Sequence, residues 1–261
     1  MMTMINTFTP LLFAEGMFLG MLLFQEVGRR IGIRRMAKHP EGIGPGTGAM
    51  QAGVFALLGL LIAFTFSGAA SRFDDRRKLV AQEANAIGTA YLRLDLLAPD
   101  ARSALRQRFG QYLDARLAVY QKLPDVAAAQ QEWARGTALQ DEIWTQAITA
   151  CRAQGDPPSC MLLLPALNEM IDITTTRMIS MMTHPPTIIF VLLFGLGLGS
   201  SLVAGYEMAG STRRSWIHMI TFAAMTAVTV YIILDLEYPR SGLIRVDAAD
   251  QVLLELRKSM K

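Results

Sequence analysis

The sequence predicts an all-α integral membrane protein, with four transmembrane helices and a helical insert between the second and third. Three observations carry that prediction. Apolar residues make up 52% of the 261 residues and charged residues only 18%, where about 25% charged is usual. The apolar residues gather into four blocks, each long enough for the roughly 20 residues that cross a bilayer core. No stretch alternates at period two for long enough to suggest a sheet. A mean hydropathy of +0.30 and a small net charge exclude a disordered chain, a basic nucleic-acid-binding protein and a disulfide-rich secreted scaffold. The expected partners are the lipid bilayer and further copies of the chain, with no nucleic acid.

The first span, residues 4–27, is interrupted only by Glu15 and ends at Gln25 and Glu26. Its positive charges follow it and no basic segment precedes it, so it reads as a span rather than a signal peptide. The second, residues 48–70, contains nothing more polar than Thr65 between Val54 and Phe66. In the third, residues 187–208, Gly195 and Gly199 form a small-xxx-small face that Ser201 and Gly205 repeat, which predicts close helix packing. The fourth, residues 215–234, opens with Trp216 at an interface. The domains are then residues 1–71 (two spans and a basic linker), 72–186 (an extramembrane helical domain), 187–235 (two spans) and 236–261 (a tail).

Charge placement orients these spans. The linker at residues 28–47 carries Arg29, Arg30, Arg34, Arg35 and Lys38 against Glu41, and the short linker between the last two spans carries Arg213 and Arg214. Residues 71–186 hold 13 basic and 13 acidic residues. Lys and Arg in short loops stay cytoplasmic, whereas long domains translocate largely regardless of charge. The insert is therefore expected outside the cytoplasm. Arg72, Arg76, Arg77 and Lys78, just past the second span, are offset only by Asp74 and Asp75 and reduce that contrast.

Within the insert, Pro99-Asp100 and Pro124-Asp125 each pair a helix-stopping proline with an N-capping aspartate. Helices are predicted over residues 74–97, 101–123, 126–153 and from the Gly155-Asp156-Pro157-Pro158-Ser159 break to 183. Pro165 is tolerable only near the start of the last of these. Leu105, Phe109, Tyr112, Arg116 (through its stem), Leu117 and Tyr120 mark one apolar stripe, and Leu139, Ile143, Ala147 and Cys151 another. No Pro or Gly cluster separates the second span from the helix after it, which leaves open one continuous helix. His184-Pro185-Pro186 makes a firmer joint. Cys151 and Cys160 flank the last turn. They are ordinary small hydrophobes in a reducing compartment and a disulfide pair in an oxidising one, and the outward topology favours the bond.

Little in the sequence carries chemistry, and no catalytic residue or cofactor is expected. His39, His184 and His218 have no metal-ligand spacing, so no metal site is predicted. The stretch from Gly42 to Gly48 lacks the Lys-Ser/Thr of a phosphate loop and reads as a linker. Glu15 is the one deeply placed intramembrane ionisable residue, either an ion or proton site or an interhelical contact. Asp235 and Glu237 sit at the membrane exit of the fourth span, where solvation is the ordinary reading. Glu207 stands within reach of Arg213 and Arg214 across a short turn.

Two stretches resemble one family. Arg72-Phe73-Asp74-Asp75-Arg76-Arg77-Lys78-Leu79-Val80, continued by Glu83-Ala84-Asn85 as far as Arg93, is similar to the signature of bacterial bestrophin-like membrane proteins. So is the tail, with Leu234-Asp235-Leu236-Glu237-Tyr238-Pro239-Arg240 and Gly242-Leu243-Ile244-Arg245-Val246. The order of spans resembles that family along nearly the whole chain. The resemblance implies a likeness to bestrophins, pentameric anion channels whose second span lines a hydrophobic neck. It makes Leu58, Ile62 and Phe66 candidate pore-lining residues and inorganic ions candidate partners. The chain departs from bestrophins where Arg72-Phe73 is followed by Asp74 rather than proline, and where charge places the insert outside the cytoplasm. Two functions from different classes follow: an oligomeric pore, or a non-conducting signalling or scaffold protein whose insert binds a partner.

Overall fold

The computed structural model describes residues 9–38, 47–122, 125–210, 215–239, 243–244 and 247–260. Among them there is no strand. The helices are α1 (Thr9–Lys38), α2 (Thr47–Arg93), α3 (Pro99–Gln121), α4 (Val126–Gln154), α5 (Pro157–Met182), α6 (Thr187–Glu207), α7 (Trp216–Glu237) and α8 (Asp247–Ser259). Four helical stretches are long and apolar enough to cross a membrane. The chain divides into two compact units, Met1–Phe73 with His184–Arg245 and Asp74–Thr183 with Val246–Lys261. The tail is thus divided, with α8 in the second unit. The continuity left open by the sequence is realised: α2 is one helix of 47 residues with no proline in it. The basic linker is shorter than expected, because α1 continues to Lys38. Its 30 residues span about 45 Å at 1.5 Å per residue.

In the first unit, α1 packs closely against α6 and α7. Lipid tails are as apolar as leucine, so spans associate through van der Waals contact, which small residues permit. A Cβ built at Gly28 would lie 2.9 Å from the Leu202 carbonyl carbon, and one at Gly205 2.6 Å from that of Gln25. The packing face of α6 is therefore Gly197, Ser201, Gly205 and, just beyond the helix, Ala209. Gly195 and Gly199 meet nothing within 4 Å. Two residues along a helix is a rotation of about 200°, so the pair expected to pack points away from the contact that forms. α2 reaches the bundle through long side chains: Leu58, Leu61 and Ile62 join a cluster with Met17, Met21, Leu193 and Val230. Several hydroxyls in the spans bond back to their own helix, among them Thr65 to Leu61 O (2.5 Å), Ser200 to Leu196 O (2.7 Å) and Thr226 to Phe222 O (2.9 Å). Each is thereby satisfied within its own helix.

In the second unit, α3 and α4 pack as an antiparallel pair, with Leu105, Phe109, Tyr112, Leu139, Ile143 and Ala147 buried. Asp125 caps α4, accepting from Ala128 N at 3.0 Å. Asp100 does not cap α3, because Pro99 is itself at the start of the helix and puts Asp100 inside it. Leu123 and Pro124 lie outside the described residues. Gly155 ends α4 at φ +64°, a left-handed conformation that glycine adopts without steric cost. Pro165 stands in the third turn of α5 rather than near its start. Its ring removes one helical donor on an exposed face, and Arg93 donates to the neighbouring Leu162 carbonyl at 2.5 Å. Cys151 and Cys160 have Cα atoms 5.7 Å apart and bonded sulfurs. Leu253 of α8 is buried, and Arg257 clasps Asp114 at 2.7 and 3.0 Å.

Candidate functional site

The second span presents two faces. Leu58 is 3% exposed and packs inside its own bundle, and Ile62 packs against the same core. Phe66 is 44% exposed on one flank of the helix, and Leu57, Leu60 and Phe64 are exposed on another side of it. A Cβ built at Gly53 or Gly59 would meet nothing within 4 Å. Of the three candidate pore-lining residues, Leu58 is buried, Ile62 half-buried and Phe66 exposed. Glu15 is exposed on α1 beside Leu11, Leu12 and Leu19, facing out of the bundle of its own chain.

Beyond the span, α2 carries the arginines of the motif, and each has a different task. Arg72 donates to Glu237 through Nε (2.9 Å), with its NH2 nitrogen 2.8 Å from the same carboxylate oxygen. His184 Nδ1 lies 3.0 Å from the other oxygen of Glu237, and its ring stacks on Tyr238 with centroids 4.6 Å apart. Asp235 accepts from the backbone N–H groups of Leu243 and Ile244 at 3.0 and 2.9 Å. Solvation was the expected state of both acids, and the structure instead buries them, Asp235 at 1% and Glu237 at 0%. The reason is tertiary: Arg72 and the backbone N–H groups of Leu243 and Ile244 replace water as hydrogen-bond partners.

In the second unit, Arg76 donates to the carbonyls of Ser180 (3.3 Å) and Thr183 (3.0 Å). Those carbonyls close α5, and a cation beside a helix C-terminus is favoured by its dipole. Arg77 is exposed and 3.7 Å from Asp74. Asn85 is exposed and Pro239 half-buried. Arg240, His39, Arg213 and Arg214 lie outside the described residues.

Two residues before Asn85 and on the opposite side of α2, Glu83 is wholly buried between two arginines. Arg116 Nε donates to its Oε1 at 2.6 Å, and Arg177 donates to its Oε2. Burial alone raises the pKa of a carboxyl, yet the two guanidiniums hold Glu83 below its ordinary value of 4.5. The positive charge left over is spread across aromatic faces, with Arg116 4.8 Å from the Trp133 ring and Arg177 4.3 Å from Tyr120. Gln140 donates to Tyr112 Oη at 3.0 Å beside them. Sequence reasoning found Glu83 but gave Arg116 only a stem and missed Arg177. The available signal was a charged residue standing in an apolar stripe, at Arg116 after Tyr112 and at Arg177 after Met170 and Thr174. The geometry is that of a structural ion network, with no reacting group open to solvent. Among the described residues no group of His, Cys, Asp and Glu is arranged to hold a metal ion.

The Bestrophin-like domain matches the chain over residues 19–250. Two crystal structures of a bacterial bestrophin homologue from Klebsiella pneumoniae, each with a point mutation, superpose with TM-scores of 0.66. They are 15% and 14% identical, and the match covers 92% of this chain and 98% of theirs. A crystal structure described as a membrane protein superposes at 0.65 with 14% identity, over 91% of this chain and 97% of that one. At these identities the likeness is one of fold. No curated protein matches the chain. The membrane-length helices, the Arg72 and Glu83 stretches and the Asp235–Glu237 tail all fall inside the matched region, and the chain belongs to the Bestrophin-like family of membrane proteins.

Proposed function

We propose that several copies of this chain surround an axis in a bacterial inner membrane and form an ion pathway, with the outward face of α2 as its wall. The observation that carries this reading is the α2 surface with Phe66 on it, apolar and open in a single chain, taken with the family and with bestrophin homologues of the same fold. Glu15 supports it, since a carboxyl facing out of a span is costly against lipid and less so against another copy. The second unit lies outside the membrane, and the protein works without catalysis.

Purified protein reconstituted into planar bilayers is expected to conduct inorganic ions, and its mass in detergent is expected to be a multiple of 28.7 kDa. Phe66→Ala should raise the conductance by removing a wall side chain. Glu15→Gln should alter ion flux while leaving the assembled mass unchanged. Silence across anions, cations and pH, from protein of the right mass, would transfer the reading to the non-conducting scaffold.

The insert is proposed to face the periplasm with Cys151 and Cys160 oxidised, on the strength of the basic residues in both short linkers and of the 5.7 Å Cα separation. In intact cells, a membrane-impermeant maleimide should label these cysteines only after a reductant. Labelling that requires permeabilisation, and no reductant, would put the insert in the cytoplasm with free thiols.

A further inference from the structure

All four spans of the first unit contribute to one cavity of about 490 Å³, at the ends joined by the two short linkers, a size within the roughly 300–1,000 Å³ of small-ligand sites. Gln25 of α1 lines it and is 1% exposed. Its backbone is pressed against Gly205, and its Nε2 donates to Met219 O at 3.4 Å. Its Oε1 has no hydrogen-bond partner among the described residues. A buried acceptor left unmatched costs about 1–3 kcal/mol. Glu207 of α6 brings a carboxylate to the same cavity and faces the side-chain amide of Gln51, whose nitrogen donates to Oε1 at 2.6 Å with the amide turned so that its donor meets the carboxylate. Phe55 and Phe222 form another wall, edge to face at 5.2 Å.

We propose that this cavity binds a primary ammonium group carried on a short alkyl chain. The carboxylate matches its charge, the orphan amide oxygen of Gln25 takes an N–H, and the two rings accept the cation and its alkyl stem. An anion is excluded by Glu207. A quaternary ammonium has no N–H for Gln25, and a bare metal ion gains nothing from the phenylalanines. Two sources carry this chemistry, a free alkylamine and the ethanolamine head group of a lipid.

The test is equilibrium dialysis of labelled n-butylammonium against the full chain in phosphatidylcholine nanodiscs at pH 8, where the amine is charged. Saturable binding is expected, with tetramethylammonium and sodium competing poorly. Glu207→Gln and Gln25→Met should each weaken binding about tenfold or more, while thermal unfolding reports whether each variant remains folded. In phosphatidylethanolamine nanodiscs, weakened uptake would identify the lipid head group as occupant, and unchanged uptake a free amine. The proposal is overturned by absence of saturable binding to the parent, by equal competition from sodium, or by a folded Glu207→Gln that binds like the parent.

Discussion

Glu83→Gln is expected to lower the stability of the protein by about 3–5 kcal/mol, the cost of removing one partner from a buried ion pair. At roughly 2–4 °C per kcal/mol for a chain of this size, the midpoint of thermal unfolding in detergent should fall by about 6–20 °C. The physical reason is asymmetry. Arg116 and Arg177 are 3% and 2% exposed, and a neutral amide removes the carboxylate that both guanidiniums share out of water. Acid should reveal the same group. The folded-state pKa of Glu83 is below its ordinary value of 4.5, so its contribution is complete above that value. It is lost as pH falls through the lowered one. The parent should therefore lose stability on acidification below about pH 4, with the Glu83 share of that loss missing from Glu83→Gln. A variant that melts like the parent, with the parent's acid profile, would remove Glu83 from the account of what holds the insert together.

Gly205→Ala should damage the membrane unit comparably, by about 3 kcal/mol, the upper end of what overpacking costs. The added methyl would meet the carbonyl carbon of Gln25 at 2.6 Å, and backbone cannot rotate aside as a flexible side chain can. Gly28→Ala meets the backbone of Leu202 and Tyr206 at 2.9 Å and should behave alike. Gly197→Ala faces only the terminal atoms of Met17 and should be milder. Gly195→Ala and Gly199→Ala enter open space and serve as controls for helix propensity, which alone favours alanine by about 1 kcal/mol. The readout is the yield of monodisperse protein and its unfolding midpoint. Equal tolerance at positions 195 and 205 would contradict the α1–α6 contact.

The bearing on function is that α2, the proposed wall, is held by polar contacts of the motif as well as by packing. Arg72 fastens its first-unit part to Glu237, and Glu83 fastens its second-unit part to α3 and α5. These residues act on the wall by positioning it, and their replacement should change assembly before it changes ion selectivity.

Much of the architecture was legible in the residues because its causes are local. A run of 20 apolar residues is a span whatever surrounds it, and a proline beside a helix-capping aspartate ends one helix and starts the next, as Asp125 does. The continuity of α2 needed only the absence of a breaker. What the residues left undecided was which side of each helix meets which neighbour. A span apolar all round has no patterned face, so the sequence could not separate Gly195 and Gly199 from Gly197 and Gly205, nor turn Leu58 inward and Phe66 outward. Burial of charge is equally non-local. Glu237 stands 165 positions from Arg72, Glu83 94 positions from Arg177, and Gln25 194 positions from Met219. Only the packed chain brings these groups out of water together, and there Glu83 and Glu237 find their partners while Gln25 Oε1 is left without one among the described residues.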